Sequence, residues 1–174
     1  MNILKSLLGM FLAVVIMAMF GCGGGGGTAA PPTKATLKLS TAGTTANIRG
    51  IEVTVVLPAG VTVDASTTVD PAIMEPKAGV VVLSGSTVAD ATAFSQLPPL
   101  AAYTPATGTA PGKVKILLAA QKDFALGEFV TVNTAIAAGT IPLATDFTLE
   151  GFTAVDQNGA PIAGVTASVV ADIK

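Results

Sequence analysis

The chain has 174 residues, 51% of them hydrophobic and only 11% charged, with a formal net charge of −2, no His, no Trp and a single Cys. This composition excludes an internal disulfide, a zinc site built from Cys and His, and a serine nucleophile activated by histidine. The closest pair of cations is Lys113 with Lys115, which argues against a nucleic-acid surface, because a phosphate backbone needs several cations on one face.

Lys5 opens the chain with a positive charge, and Leu7 to Phe20 (LLGMFLAVVIMAMF) follow as a nearly unbroken apolar run. That run is short of the about 20 residues a transmembrane helix needs and fits the apolar core of an export signal. It ends in Met19-Phe20-Gly21-Cys22, which resembles the lipobox of bacterial lipoproteins. In that motif a small residue precedes the lipidated cysteine. Gly21 and Cys22 match it; Phe20 is bulkier than usual. The resemblance implies that residues 1–21 are removed and that Cys22 carries the lipid. Two or more acyl chains then hold the protein to a bacterial envelope membrane, each buried CH₂ contributing about 0.8 kcal/mol. Gly23, in place of Asp, favours the outer membrane or cell surface.

Residues 23–27 are five consecutive glycines, and Pro31-Pro32 follow. No strand precedes the glycines and no Lys-Ser or Lys-Thr follows, so no phosphate cradle is expected, and no other cofactor motif is present. Residues 22–34 are expected to form a tether that starts flexible and ends stiffer.

Residues 35–174 are expected to form one domain, long enough to fold on core packing alone. Ala35 to Ser40 alternates Leu37 and Leu39 against Thr36, Lys38 and Ser40. Ile51 to Leu57 sets Ile51, Val53, Val55 and Leu57 on one face, Pro58-Ala59-Gly60 turns, and Val61 to Val63 resumes extended. Val80 to Ser84 has the uniform apolar character of a buried strand. Ser86 to Gln96 has room for one short helical turn, and Leu97 to Gly112, rich in Pro, Ala and Thr, is expected to be a long surface loop. Lys113 to Ala120 directs Val114, Ile116 and Leu118 inward, and Phe129 to Ile136 alternates again. Phe147 to Asp156 carries Gly151, the sign of a bulge or bend. Asn158-Gly159 marks a hairpin turn, and Val165 to Ala171 is the last strand. Period-two patterning with one polar face, repeated eight or nine times, predicts an all-β, antiparallel sandwich of about nine strands.

The strings IRGIEVTVVLPAGV, GKVKILLAAQKDFALG and FTAVDQNGAPIAGVTASV, in this order and spacing, resemble the cohesin family over about residues 35–171. The matching pieces are Gly50 to Pro58, Gly112 to Leu118, Gly127-Glu128-Phe129 and Phe152 to Gly159. The resemblance implies a jelly-roll sandwich related to cellulose-binding modules. It also implies a non-catalytic role: recognition of a protein partner, dockerin-like by analogy, or of an envelope component. Polysaccharide binding is the alternative. This chain holds one module and no dockerin-like calcium loop, so no contact residue transfers.

The acids are scattered. Asp123, Glu128 and Asp156 are the ones expected to come together at loop ends, as solvated surface groups or, alternatively, as calcium ligands. A sugar platform would need exposed aromatic rings. After the leader these are only Phe94, Tyr103, Phe124, Phe129, Phe147 and Phe152. Phe129, Phe147 and Phe152 fall in strand patterns and are expected in the core. Tyr103, beside the proline-rich stretch, is the one possible ligand contact. No catalytic group and no metal set is expected.

Overall fold

The computed structural model describes residues 30–43, 47–67, 72–89 and 99–174. Cys22, the leader, the glycine run and Phe94 lie outside them. In chain order the elements are β1 (Lys34–Ala42), β2 (Ile48–Leu57), β3 (Val61–Thr62), β4 (Ala65–Thr67), β5 (Met74–Pro76), β6 (Val81–Leu83) and one helical turn, α1 (Ser86–Ala89). Then come β7 (Leu100–Thr104), β8 (Gly112–Phe124), β9 (Gly127–Ile136), β10 (Thr148–Val155) and β11 (Thr166–Ile173), with a 3-10 turn at Ala144–Asp146. No helix among the described residues is long and apolar enough to cross a membrane.

The strands form two antiparallel sheets. The first has the order β11-β1-β9-β3, with β6 also paired to β9; the second has the order β10-β2-β8-β7-β5-β4. Only β4–β5 and β7–β8 are consecutive strands paired within one sheet. Every other connection among the described elements carries the chain across to the opposite sheet, and that crossing makes a sandwich.

Alternation along each long strand places the core. On the first sheet Leu37, Leu39, Val130 and Val132 are fully buried; on the second so are Val53, Val55, Val114 and Ile116. Each such side chain contributes about 1.5–3 kcal/mol by leaving water, and no buried side-chain polar atom among the described residues lacks a partner. The expected all-β sandwich is present. Among the described residues it has eleven strands, those the sequence did not announce being β4, β5 and β7.

Bulges adjust the alternation. Between β1 and β9 the register skips from Leu39↔Val130 to Ser40↔Glu128, so Phe129 and Val130 both face inward, each fully buried. Gly151, with φ +60°, sits where β10 slips against β2, between Glu150 and Thr153, as its glycine foretells. On β8 the pairing with β2 jumps from Ala119 to Phe124. Arg49 holds that irregular stretch, donating to the Asp123 carboxylate and to the Gln121 carbonyl, each at 2.8 Å.

Four expectations need correction. Leu97 to Gly112 is not one loop, because Leu100–Thr104 pairs with β8 along its whole length. Alternation of one large side chain with Ala on each face is a weak signal, and the flanking prolines hide it. The run Val80 to Ser84 is not buried on both faces: β6 ends the pairing beyond β9, and Val82 is 41% exposed. Lys34, expected to end a tether, is already in β1, and the Thr33 N–H donates to the Lys174 carbonyl at 2.7 Å. The turn at Asn158-Gly159 is tight, with Gly159 N–H donating to the Asp156 carbonyl at 3.1 Å, but it joins strands of different sheets. Its hairpin is one bridge long, Val155 to Pro161.

Candidate functional site

The residues singled out from sequence go to separate places. Asp123 closes the end of β8 against Arg49, N–O 2.8 Å. Glu128 opens β9 and faces Lys38 of β1 at 3.3 Å. Asp156 accepts from the backbone N–H of Asn158 at 2.8 Å and of Ala160 at 2.9 Å, and these bonds hold its pKa below the usual value. The three acids therefore serve an ion pair, a polar cluster and a turn, each by itself. Among the described residues no three His, Cys, Asp or Glu side chains are grouped to hold a metal.

The aromatic rings are inside. Phe124 and Phe147 are 3% exposed, Phe129 is fully buried, and Phe152 packs half-buried against the core. Tyr103 is corrected most sharply. It lies on β7 rather than on a loop, opposite Val114, and is 3% exposed. Its ring edge and hydroxyl lie 3.6 Å from the position a Cβ would take on Gly112. Burial raises its pKa above that of a free tyrosine. A phenol held there cannot stack on a sugar without the sheet opening.

A different feature stands out on the outer face of the second sheet. β2, β8 and β10 lay a ladder of ion pairs across that face, Lys113 to Glu150 and Lys115 to Glu52, both 2.7 Å. One step along β8 the pattern breaks. Leu117 takes an outward position, 42% exposed, and its cross-strand partner on β7 is Leu100, 66% exposed. A groove of about 520 Å³ opens there, lined by these two leucines together with Pro76, Pro99, Glu75 and Lys115. Neighbouring Lys77, also on its lining, pairs with Asp64 at 2.7 Å.

Leu117 was legible as the exception in KVKILLAA: with Val114, Ile116 and Leu118 inward, it must face out. Leu100 was not, because its strand was masked by prolines. An outward leucine pair costs apolar exposure to water. Among the described residues the groove's apolar lining is aliphatic and includes no aromatic ring, which suits an aliphatic or small aromatic side chain better than a sugar ring. Comparison with protein-family models, with curated proteins and with solved structures finds no match to this chain.

Proposed function

We propose that this chain is a non-catalytic envelope lipoprotein, anchored through lipid on Cys22, whose cohesin-like sandwich docks a protein partner in the Leu100–Leu117 groove. The outward leucine pair carries the docking part: two large cross-strand apolar side chains beside two ion pairs on the same face. The apolar leader ending at Gly21-Cys22 supports the anchor. The glycine and proline run that follows supports a standoff from the lipid surface. The acids expected to cluster hold ion pairs and a turn instead, which fits a binding role better than acid–base chemistry.

The test uses the full chain, affinity-tagged, against envelope extracts of the source cell. The wild type recovers one discrete polypeptide in a saturable manner, Leu117→Lys loses it, and Lys38→Ala on the opposite sheet keeps it. Recovery that ignores Leu117→Lys, or no saturable partner, overturns the docking surface. Saturable binding to a glycan array by the wild type would replace it with the polysaccharide alternative. The anchor is tested separately: labelled fatty acid enters the wild type and not Cys22→Ala, and equal labelling of both overturns it.

A further inference from the structure

An edge strand offers a row of unpaired N–H and C=O groups to any other strand, and folded proteins blunt such edges by shortness, bulges, glycine, proline, charge or cover. Three of the four sheet flanks here are blunted. On the first sheet β3 and β6 have two and three residues, and on the second β4 has three. β10 is longer but is broken by Gly151 and its register slip. Its far end is covered where Pro161 bridges Val155 and the Ile162 N–H donates to the Ala154 carbonyl at 2.8 Å. Within its own span β11 has none of the sequence devices, although the 3-10 turn at Ala144–Asp146 and β10 approach it. Its eight residues, TASVVADI, include no Gly and no Pro, pair with β1 without a register shift, and carry one charge, Asp172.

The direction of its free groups is fixed by its partner. Lys34 and Lys174 exchange backbone bonds of 3.0 and 2.9 Å, so in this antiparallel ladder the alternate residues Asp172, Val170, Ser168 and Thr166 also turn their backbone groups toward β1. The groups of Ala167, Val169, Ala171 and Ile173 therefore point away from the sheet, and no backbone bond to them is made among the described residues. The side chains of the same four residues face the core but stay half-buried. Val170, in the middle of the outer face, is 63% exposed.

We propose that the edge of β11 pairs with β11 of a second copy of this chain, antiparallel, about a twofold axis at Val170. This register alone engages all four outward residues, Ala167 with Ile173 and Val169 with Ala171. It leaves Val170 facing its own copy at a non-hydrogen-bonded position, where side chains come closest. On the outer face it sets Ser168 against Asp172 and Thr166 against Lys174, so the acid meets a hydroxyl and never its own copy, and the lysine is not opposed by a cation. On the inner face every pair is apolar. The contact is isologous and closes on itself, yielding a dimer rather than a filament. It uses the opposite sheet from the Leu100–Leu117 groove and stands whether or not that groove binds a partner.

The test is sedimentation of the full chain in mild detergent over a range of concentrations. The wild type shifts from monomer toward twice the mass as concentration rises. Ala171→Pro removes an outward N–H without touching the ladder to β1, and Val170→Lys places two cations together at the axis; both remain monomeric with an unchanged β-sheet circular-dichroism spectrum. The register is tested in a Cys22→Ser background. A facing pair at a non-hydrogen-bonded position has a Cα separation of about 4.5 Å, within disulfide reach, so Val170→Cys forms a covalent dimer under mild oxidation and Ser168→Cys does not. A wild type that stays monomeric throughout, or equal cross-linking of both cysteine variants, overturns the proposal.

Discussion

The outer faces of the two sheets are both built from outward residues of regular strands, yet they end differently. On the first sheet the polar part of the face, across β1, β9 and β6, is tied to itself, while Val82 and Val170 stay exposed. Thr36 Oγ1 donates to Asn133 Oδ1 at 3.4 Å, Asn133 Nδ2 donates to the Gly79 carbonyl at 2.8 Å, and Thr131 Oγ1 donates to Ser84 Oγ at 3.1 Å. Glu128 adds the ion pair to Lys38. On the second sheet the ion pairs run across β2, β8 and β10 and then stop at Leu100 and Leu117. A polar face whose groups already hold partners gains little by exchanging them for another protein's. An outward apolar pair gains by being covered. The comparison teaches where to look for binding on a sandwich: at the break in the polar pattern.

The largest effect is expected where the first sheet's cover is rooted in the core. Phe129 is the bulged residue of β9. Its ring is fully buried, and its carbonyl accepts from the Ser84 N–H at 3.1 Å. The Thr87 hydroxyl lies 2.8 Å from that carbonyl and 2.7 Å from the Ser84 carbonyl, free to donate to either. Phe129→Ala should cost about 3–5 kcal/mol, measured by urea unfolding. Gly85 comes next. It holds φ +56° at the entry to α1, and a Cβ there would collide with the Glu128 carbonyl oxygen. Gly85→Ala should cost on the order of 1–3 kcal/mol for the strained backbone, and should loosen Ser86, whose hydroxyl donates to that same carbonyl at 3.0 Å. If either variant unfolds like the wild type, the self-tied cover of the first sheet is not structural.

On the second sheet the same experiment should give almost nothing. Leu117→Lys replaces a half-exposed side chain outside the core, and surface changes of this kind fall within about 0.5 kcal/mol. The contrast with Phe129 separates residues that hold the fold from residues left on its surface. A loss comparable to that of Gly85→Ala would mean that Leu100 and Leu117 are part of the packing, and the groove would lose its standing as a docking surface.

Much of this arrangement was visible in the residue pattern, and the parts that were not have physical reasons. ATLKLS, IEVTVVL and KVKILLAA alternate cleanly because each strand is half solvated, so their inward sets are the core. Gly151 announced its bulge because few residues other than glycine take φ near +60° without strain. The bulge at Phe129 gave no such notice, since two adjacent apolar residues read equally well as ordinary alternation with an apolar residue facing out. Strand β7 was hidden by its composition. In LAAYT the small alanines blur the period, and Tyr103 drew attention as a possible contact when its burial comes from pairing with β8. Sheet order was not written in any single strand; it depends on which distant edges meet. The pairing of the acids was equally unreadable, since Arg49 and Asp123 are brought together across the β2–β8 ladder.

The smallest prediction tests the electrostatics of the first sheet. The Ser84 hydroxyl, then Lys38 and Thr131, hold the Glu128 carboxyl below the usual glutamate value, against a smaller opposing effect of burial. A carboxylate whose pKa is lower in the folded chain than in the unfolded one binds fewer protons when folded. Its contribution is therefore present above the ordinary glutamate pKa of about 4.3 and is lost as pH falls through the lower, folded value. Glu128→Gln should then be slightly less stable than the wild type at neutral pH, with the gap closing progressively once the pH drops below that ordinary value. Because the ion pair to Lys38 is largely solvated, with the lysine 54% exposed, salt should shrink the gap as well. Thermal unfolding of the two proteins between neutral and acid pH, at low and high salt, decides it. A gap that ignores both variables would place the effect of Glu128 in the uncharged contacts of its side chain, such as that with Thr131, rather than in its charge.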